Sequence, residues 1–167
     1  MTNTARRAAV VYNPVKGRID ELRRQIDTAA ALAGWEESLW FETSVEDPGR
    51  GITREAIAAG VDMVFAAGGD GTVRSVAEGL RDSHVPLALL PRGTGNLLAR
   101  NLGLPISNTA DAISIAFEGT TRFIDLGIAT LSRTDGSFEE HGFLVMAGMG
   151  IDADIMANTN DALKKSF

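Results

Sequence analysis

Four short strand-like runs, residues 7–12 (RAAVVY), 36–41 (EESLWF), 62–67 (DMVFAA) and 86–90 (PLALL), alternate with segments whose apolar residues recur at helical spacing. An apolar run of that length suits a strand buried within a parallel sheet, and a parallel sheet needs a long connection between successive strands. The connections supply it. Ile19, Leu22, Ile26, Ala29, Ala30 and Ala33 mark a helix that Gly34 is placed to end, and residues 51–59 mark another ended by Gly60. Residues 73–80 carry Val73, Val76, Ala77 and Leu80 on one face, a helix begins at 97–102, and a further one lies near 108–118 with Ile113, Ala116 and Phe117 inward. The alternation predicts an α/β domain, a layered, open, mostly parallel sheet with flanking helices.

From residue 121 the rhythm changes. Residues 122–131 and 138–146 flank Thr134-Asp135-Gly136-Ser137, and Asp-Gly between extended runs predicts a β-hairpin. The chain then closes at Phe167 in a charged helical stretch (NDALKKSF). A change of rhythm so near the end reads as a cut before a second domain. On this reading 1–167 is one domain, cut short, and 121–150 is the passage towards the missing part.

Composition narrows the chemistry. The absence of cysteine excludes disulfides, thiolate catalysis and cysteine–zinc sites, and it fits a cytoplasmic chain. The two histidines, His84 and His141, belong to no ligand-spaced cluster. A net charge of −6 argues against nucleic acid and against a polybasic clamp on anionic lipid. No window resembles a membrane span, and Met1 to Tyr12 reads as a first strand rather than a signal peptide. No amphipathic stretch stands out as an interfacial helix, so any membrane contact is expected to be peripheral and transient. Oligomeric state is not legible, and a homodimer stays open.

Three loops follow successive strands: Asn13 to Gly17, Gly68 to Thr72 and Arg92 to Asn96. In an open α/β sheet the crevice beyond the strand carboxyl ends is the usual ligand site. Glycines there let backbone N–H groups approach a phosphate, and the helix behind adds a favourable dipole. Tight turns between strand and helix are the plain alternative for any one loop, but two glycine-dense loops at equivalent strand ends favour phosphate. A P-loop is excluded because no Gly-Lys-Ser or Gly-Lys-Thr occurs. Gly148-Met149-Gly150-Ile151-Asp152-Ala153 nearly meets a dinucleotide fingerprint, yet it follows the hairpin rather than the first βα turn and is read as a decoy.

Gly68-Gly69-Asp70-Gly71-Thr72, together with Pro91-Arg92-Gly93-Thr94-Gly95-Asn96-Leu97-Leu98-Ala99-Arg100, resembles the catalytic domain of diacylglycerol kinases and related bacterial lipid kinases. Asn13-Pro14 with Gly17 resembles that family's first nucleotide loop, Thr43 stands where the family places a threonine near the nucleotide, and Phe143 to Ala153 resembles its strand leading towards a second domain. GGDGT alone is shared with NAD kinases and, more loosely, phosphofructokinases; PRGTGNLLAR separates lipid kinases from both. The sequence departs from the family at Leu97, where Asp is common, at Lys16 in place of a small residue, and at Val145 in place of Asn.

The resemblance implies a NAD kinase/diacylglycerol kinase-like N-terminal domain without its C-terminal β-rich domain, where the family's acidic general base, much of the lipid pocket and a structural magnesium site belong. It implies ATP as phosphate donor, Mg²⁺, and a lipid hydroxyl at the membrane surface as acceptor. Asn13, Pro14, Lys16, Gly17 and Thr43 would border the nucleotide, Gly68, Gly69, Asp70, Gly71 and Thr72 would cradle phosphates, and Gly93, Thr94, Gly95 and Asn96 would close the cleft. Asp70 is the expected catalytic side chain: an acid inside a phosphate loop repels phosphate unless a cation such as Mg²⁺ intervenes, directly or through water. A helix cap is its alternative role. Lys16, Arg92 and Arg100 stay open between phosphate or head-group contacts and surface roles. Asp125 and Asp152 stay open between chemistry and turns or caps, and of Trp35 and Trp40 at least one is expected in the core. Two other functions remain in play: an NAD or sugar kinase using GGDGT, and a non-catalytic ATP-binding piece.

Overall fold

The computed structural model describes residues 5–15 and 18–148. Four parallel strands, β1 (Arg7–Tyr12), β2 (Glu36–Glu42), β3 (Met63–Gly68) and β4 (Leu87–Pro91), form one sheet in the order β2-β1-β3-β4. Between and after them lie α1 (Ile19–Leu32), α2 (Arg50–Ala58), α3 (Asp70–Leu80), α4 (Leu97–Asn101) and α5 (Thr109–Glu118). The predicted α/β layering is therefore the fold.

Period-two alternation in the strands sorts the core into two layers. Ala8 and Val10 of β1 and Met63, Phe65 and Ala67 of β3 pack with Leu22 and Ile26 of α1 and Ala112 and Ile113 of α5. Their sequence neighbours Ala9, Val11, Val64 and Ala66 face the other way, against Ala56 of α2 and Val76 and Leu80 of α3. Every residue of β3 is buried, as expected of a strand covered on both faces. Phe65 is the largest fully buried side chain, and truncating it to Ala would cost about 3–5 kcal/mol. Trp35 and Trp40, the latter edge-to-face with Tyr12, lean on the first layer as partly buried residues.

Small residues let the helices approach closely. A Cβ on Gly79 would lie 2.6 Å from the Cβ of Thr53 and 2.7 Å from the carbonyl oxygen of Arg50, so α2 and α3 touch through that glycine. Gly34 (φ +73°) and Gly60 (φ +78°) follow α1 and α2 in the left-handed conformation, the helix-ending role their positions predicted.

Two boundaries differ from the sequence reading. Helix α3 begins at Asp70, three residues before the expected start, so Asp70, Gly71 and Thr72 form its first turn rather than a loop. The hairpin is shorter than its flanking runs: β5 (Gly127–Ser132) pairs antiparallel with β6 (Phe138–Phe143) as a separate two-stranded sheet. Residues 121–126, including the fully exposed Phe123, are not in a strand, because no neighbour pairs with them. The Arg133 N–H donates to the Ser137 carbonyl (2.8 Å), and Gly136 takes φ +84° at the loop position that needs it. Two contacts tie the hairpin to α3: the Gly142 N–H donates to Glu78 (2.7 Å), and Arg81 pairs with Glu140 (2.9 Å).

Candidate nucleotide site

Parallel strands all point their carboxyl ends to one edge, so the loops after β1, β2, β3 and β4 gather there. The chain order runs outward from β1 to β2, then returns to β3 on the other side. That reversal places the switch point between β1 and β3, where open α/β sheets leave a crevice for ligand. Asn13 and Gly68 stand at the two lips. The Asn13 N–H donates to the Ala67 carbonyl across the strand ends (3.1 Å), while its side-chain oxygen accepts from the Val15 N–H (3.1 Å) and turns the chain towards Pro14. Lys16 and Gly17 lie outside the described residues. Thr43 is buried at the end of β2, its N–H donating to the Tyr12 carbonyl (2.9 Å).

The two glycine loops meet. The Arg92 N–H donates to the Gly68 carbonyl (2.9 Å), continuing the β3–β4 pairing beyond the strands. A Cβ on Gly93 would stand 2.6 Å from the Cα of Gly69, a distance no real Cβ keeps to backbone, so the loops cross in direct main-chain contact. On the first loop, the Thr72 side chain folds back over Gly68 and is buried there. The first helical bond of α3 runs from the Val73 N–H to the Gly69 carbonyl (3.0 Å). The N–H groups of Asp70, Gly71 and Thr72 therefore have no intrahelical acceptor, as at any helix start, and form an anion-favouring end of an 11-residue helix.

The second loop is built around Asn96. This residue adopts the left-handed conformation (φ 48°, ψ 46°) and is 8% exposed. Its side-chain oxygen accepts from the Gly93 N–H (2.9 Å) and its side-chain amide donates to the Gly93 carbonyl (2.7 Å), closing on both backbone groups of one residue. Arg100 braces the same loop from below, its Nε donating to the Gly95 carbonyl (2.7 Å). From sequence, Arg100 is open between phosphate or head-group contacts and surface roles; here its Nε holds a loop carbonyl. Thr94, at the loop's tip, is exposed.

Asp70 differs from its expected alternative role. It does not cap α3; it sits in that helix's first turn and reaches across to the second loop. Its Oδ2 accepts from the Asn96 N–H (3.0 Å) and its Oδ1 from the Leu97 N–H (2.6 Å), so it caps α4. No metal-holding group of three or more His, Asp or Glu residues occurs among the described residues. Asp125 is exposed, and Asp152 with most of the Gly148–Ala153 stretch lies outside the described residues.

The model of the diacylglycerol kinase catalytic domain matches residues 7–129, a span that holds every strand of the parallel sheet and both glycine loops. The chain belongs to the diacylglycerol kinase catalytic domain family. A family member named "Probable lipid kinase YegS-like" in Pseudomonas fluorescens is 35% identical over 162 residues, covering 96% of this chain and 50% of that protein. The diacylglycerol kinase of Bacillus subtilis is 35% identical over 126 residues, 73% of this chain and 41% of that one. The chain thus spans about half the length, or less, of these curated relatives. The crystal structure of a diacylglycerol kinase from Bacillus anthracis shares the fold with a TM-score of 0.65 at 24% identity, over 94% of this chain and 54% of that one. Membership favours the diacylglycerol kinase-like reading of GGDGT over the NAD kinase one. Among the described residues, no helix is long and apolar enough to cross a membrane.

Two residues that matter to this geometry were not given these contacts by the sequence reading. Arg100 sits five positions after the carbonyl it holds, a spacing without a recognised motif. Asp47 arranges the loop after β2: its carboxylate accepts from the N–H groups of Gly49 (2.9 Å), Gly51 (3.1 Å) and Ile52 (2.8 Å) and so caps α2. An acid two residues before a glycine and just ahead of a helix was the available signal.

Proposed function

We propose that this chain is the nucleotide-binding portion of an ATP-dependent lipid kinase, which transfers the ATP γ-phosphate to the hydroxyl of a diacylglycerol-like lipid. The crossing of Gly69 and Gly93 beyond the ends of β3 and β4, next to the switch point, carries this reading, because it sets the second glycine loop against the N–H groups that open α3. Phosphoryl transfer depends on positioning and charge neutralisation more than on covalent chemistry, and backbone amides on a fixed sheet edge supply the first. Asn13 and Pro14, with Lys16 and Gly17, border the nucleotide on the β1 side, and Thr43 supports that wall. Gly68 to Thr72 receive phosphates at the start of α3, and Gly93 to Asn96 close the opposite side.

Mg²⁺ is the cation this chemistry would use, and the residues present fit it in one respect. Asp70 offers a single carboxylate whose oxygens each accept one N–H and keep further lone pairs. That suits an ion arriving with the triphosphate and keeping most of its waters, rather than one held in a protein cage. When bound, it neutralises charge on the β- and γ-phosphates. The lipid acceptor brings the protein to a membrane surface transiently, with the protein otherwise cytoplasmic.

Incubating the full-length gene product with radiolabelled ATP and either diacylglycerol in mixed micelles or NAD tests the proposal. Labelled phospholipid is expected, and labelled NADP without labelled lipid would replace this reading with the NAD kinase one. ATP-induced thermal stabilisation of the 167-residue chain without any turnover by the full-length product would instead support a non-catalytic ATP-binding module.

A further inference from the structure

The contacts of Asp70 point to a role besides the metal one proposed above. We infer that Asp70 is a positioning residue: its carboxylate fastens the second glycine loop to the first and thereby sets the width of the phosphate seat. The inference rests on the nucleotide-site reading above and deepens it.

Three observations converge. The two carboxylate oxygens of Asp70 take the N–H groups of Asn96 and Leu97, residues 26 and 27 positions away in sequence. One is the N-cap N–H and the other the first N–H of the five-residue α4, so Asp70 occupies the start of that helix. Gly95 completes the fit, since a Cβ on it would lie 2.7 Å from Oδ2 of Asp70. A side chain at this position would force the carboxylate to shift.

The arrangement also answers an electrostatic difficulty. An aspartate in the first turn of α3 would repel a phosphate arriving at the same turn. Held against the N–H groups of α4, its charge is met by donors on the far side, while the N–H groups of Asp70, Gly71 and Thr72 stay aimed at the crevice. One side chain joins the two loops at their polar surface, and the Gly69–Gly93 contact joins them at the backbone.

Amide exchange and metal-free nucleotide binding together test this. Asp70→Asn keeps the size but replaces one acceptor oxygen with a donor facing an N–H. Hydrogen exchange at the Asn96 and Leu97 amides is expected to quicken by about tenfold or more, the scale set by one lost bond to a charged acceptor. Affinity for ATP in EDTA, measured on the full-length gene product, is expected to fall by a similar factor. Gly95→Ala, which pushes the carboxylate aside without altering its charge, is expected to quicken exchange at the same two amides and serves if Asp70→Asn does not fold. Unchanged exchange and unchanged metal-free affinity, with turnover in Mg²⁺ alone collapsing, would overturn the inference and return Asp70 to direct work on the metal or the reacting groups. Failure of the wild-type protein to bind ATP under any condition would sink the nucleotide reading instead, with the exchange rates still deciding whether Asp70 fastens the loops.

Discussion

Gly69 and Gly93 lie in backbone contact where two loops cross, with 2.6 Å between the Cα of the first and any Cβ built on the second. Neither neighbour is a flexible side-chain end, so the contact cannot yield without moving a loop. Gly93→Ala is expected to destabilise the protein by about 1–3 kcal/mol, the usual range for overpacking, and to abolish ATP-induced thermal stabilisation. Gly71, two residues from the crossing, has open space where its Cβ would be and sits within α3. Gly71→Ala is expected to leave stability unchanged or raise it by about 0.5 kcal/mol. Thermal denaturation of the two variants side by side makes the comparison.

Asn96 combines a left-handed backbone with a closed pair of side-chain bonds to Gly93. Asn96→Ala keeps the backbone penalty and loses both bonds, so a cost of about 2–4 kcal/mol follows from burial of the unpaired Gly93 groups plus strain. Asn96→Gly relieves the backbone and loses only the bonds. Chemical denaturation is expected to rank wild type above Asn96→Gly and Asn96→Gly above Asn96→Ala. The reverse order of the two variants would show that the backbone conformation is not a constraint.

The strand and helix order was legible because each element carries its own period: buried β3 as a continuous apolar run, α3 as Val73, Val76, Ala77 and Leu80. The glycine loops were legible as composition and by their place at equivalent strand ends, before the family resemblance was drawn. What the sequence withheld was partnership across distance. That Asp70 bonds residues 26 and 27 positions on follows from β3 and β4 being neighbours in the sheet, and neighbour order is not written in either strand. The early start of α3 was missed because Gly71 argues against helix on propensity, a penalty of about 1 kcal/mol that the packing of α3 outweighs. The hairpin was read too long because apolar residues in 121–126 look like strand until a pairing partner is sought.

Asp47 gives a pH signature. Burial alone would raise its carboxyl, but donors from Gly49, Ile52, Gly51 and Arg50 outweigh that and hold it below the ordinary 3.8. A lowered folded value means the cap's charge-dependent stability is fully present above the unfolded value and is lost as pH falls through the folded one. Asp47→Ala is expected to cost about 1 kcal/mol at neutral pH, the typical loss for a helix cap. The gap between wild type and variant should then narrow below about pH 4. Stability curves of both proteins from acid to neutral pH check it, and a gap that widened in acid would contradict the sign.

Glu78 ties the hairpin to α3 through the Gly142 N–H, beside the half-exposed Arg81–Glu140 pair. An exposed ion pair contributes little, so the Glu78 bond is the stronger tie. Glu78→Ala is expected to quicken amide exchange at Gly142 by about tenfold with a small effect on global unfolding. Glu78→Gln, which keeps an acceptor oxygen, is expected to restore most of the protection.

Strand β3 has no solvent-facing residue, and it runs straight into Gly68. The loop proposed to receive phosphate therefore stands on a strand buried on both faces, flanked by β1 and β4 and covered by helices on both sides. Room for variation grows outward, towards the rim at β2 and the separate two-stranded hairpin, and a designer seeking altered ligand preference would find less resistance there than at the middle of the sheet.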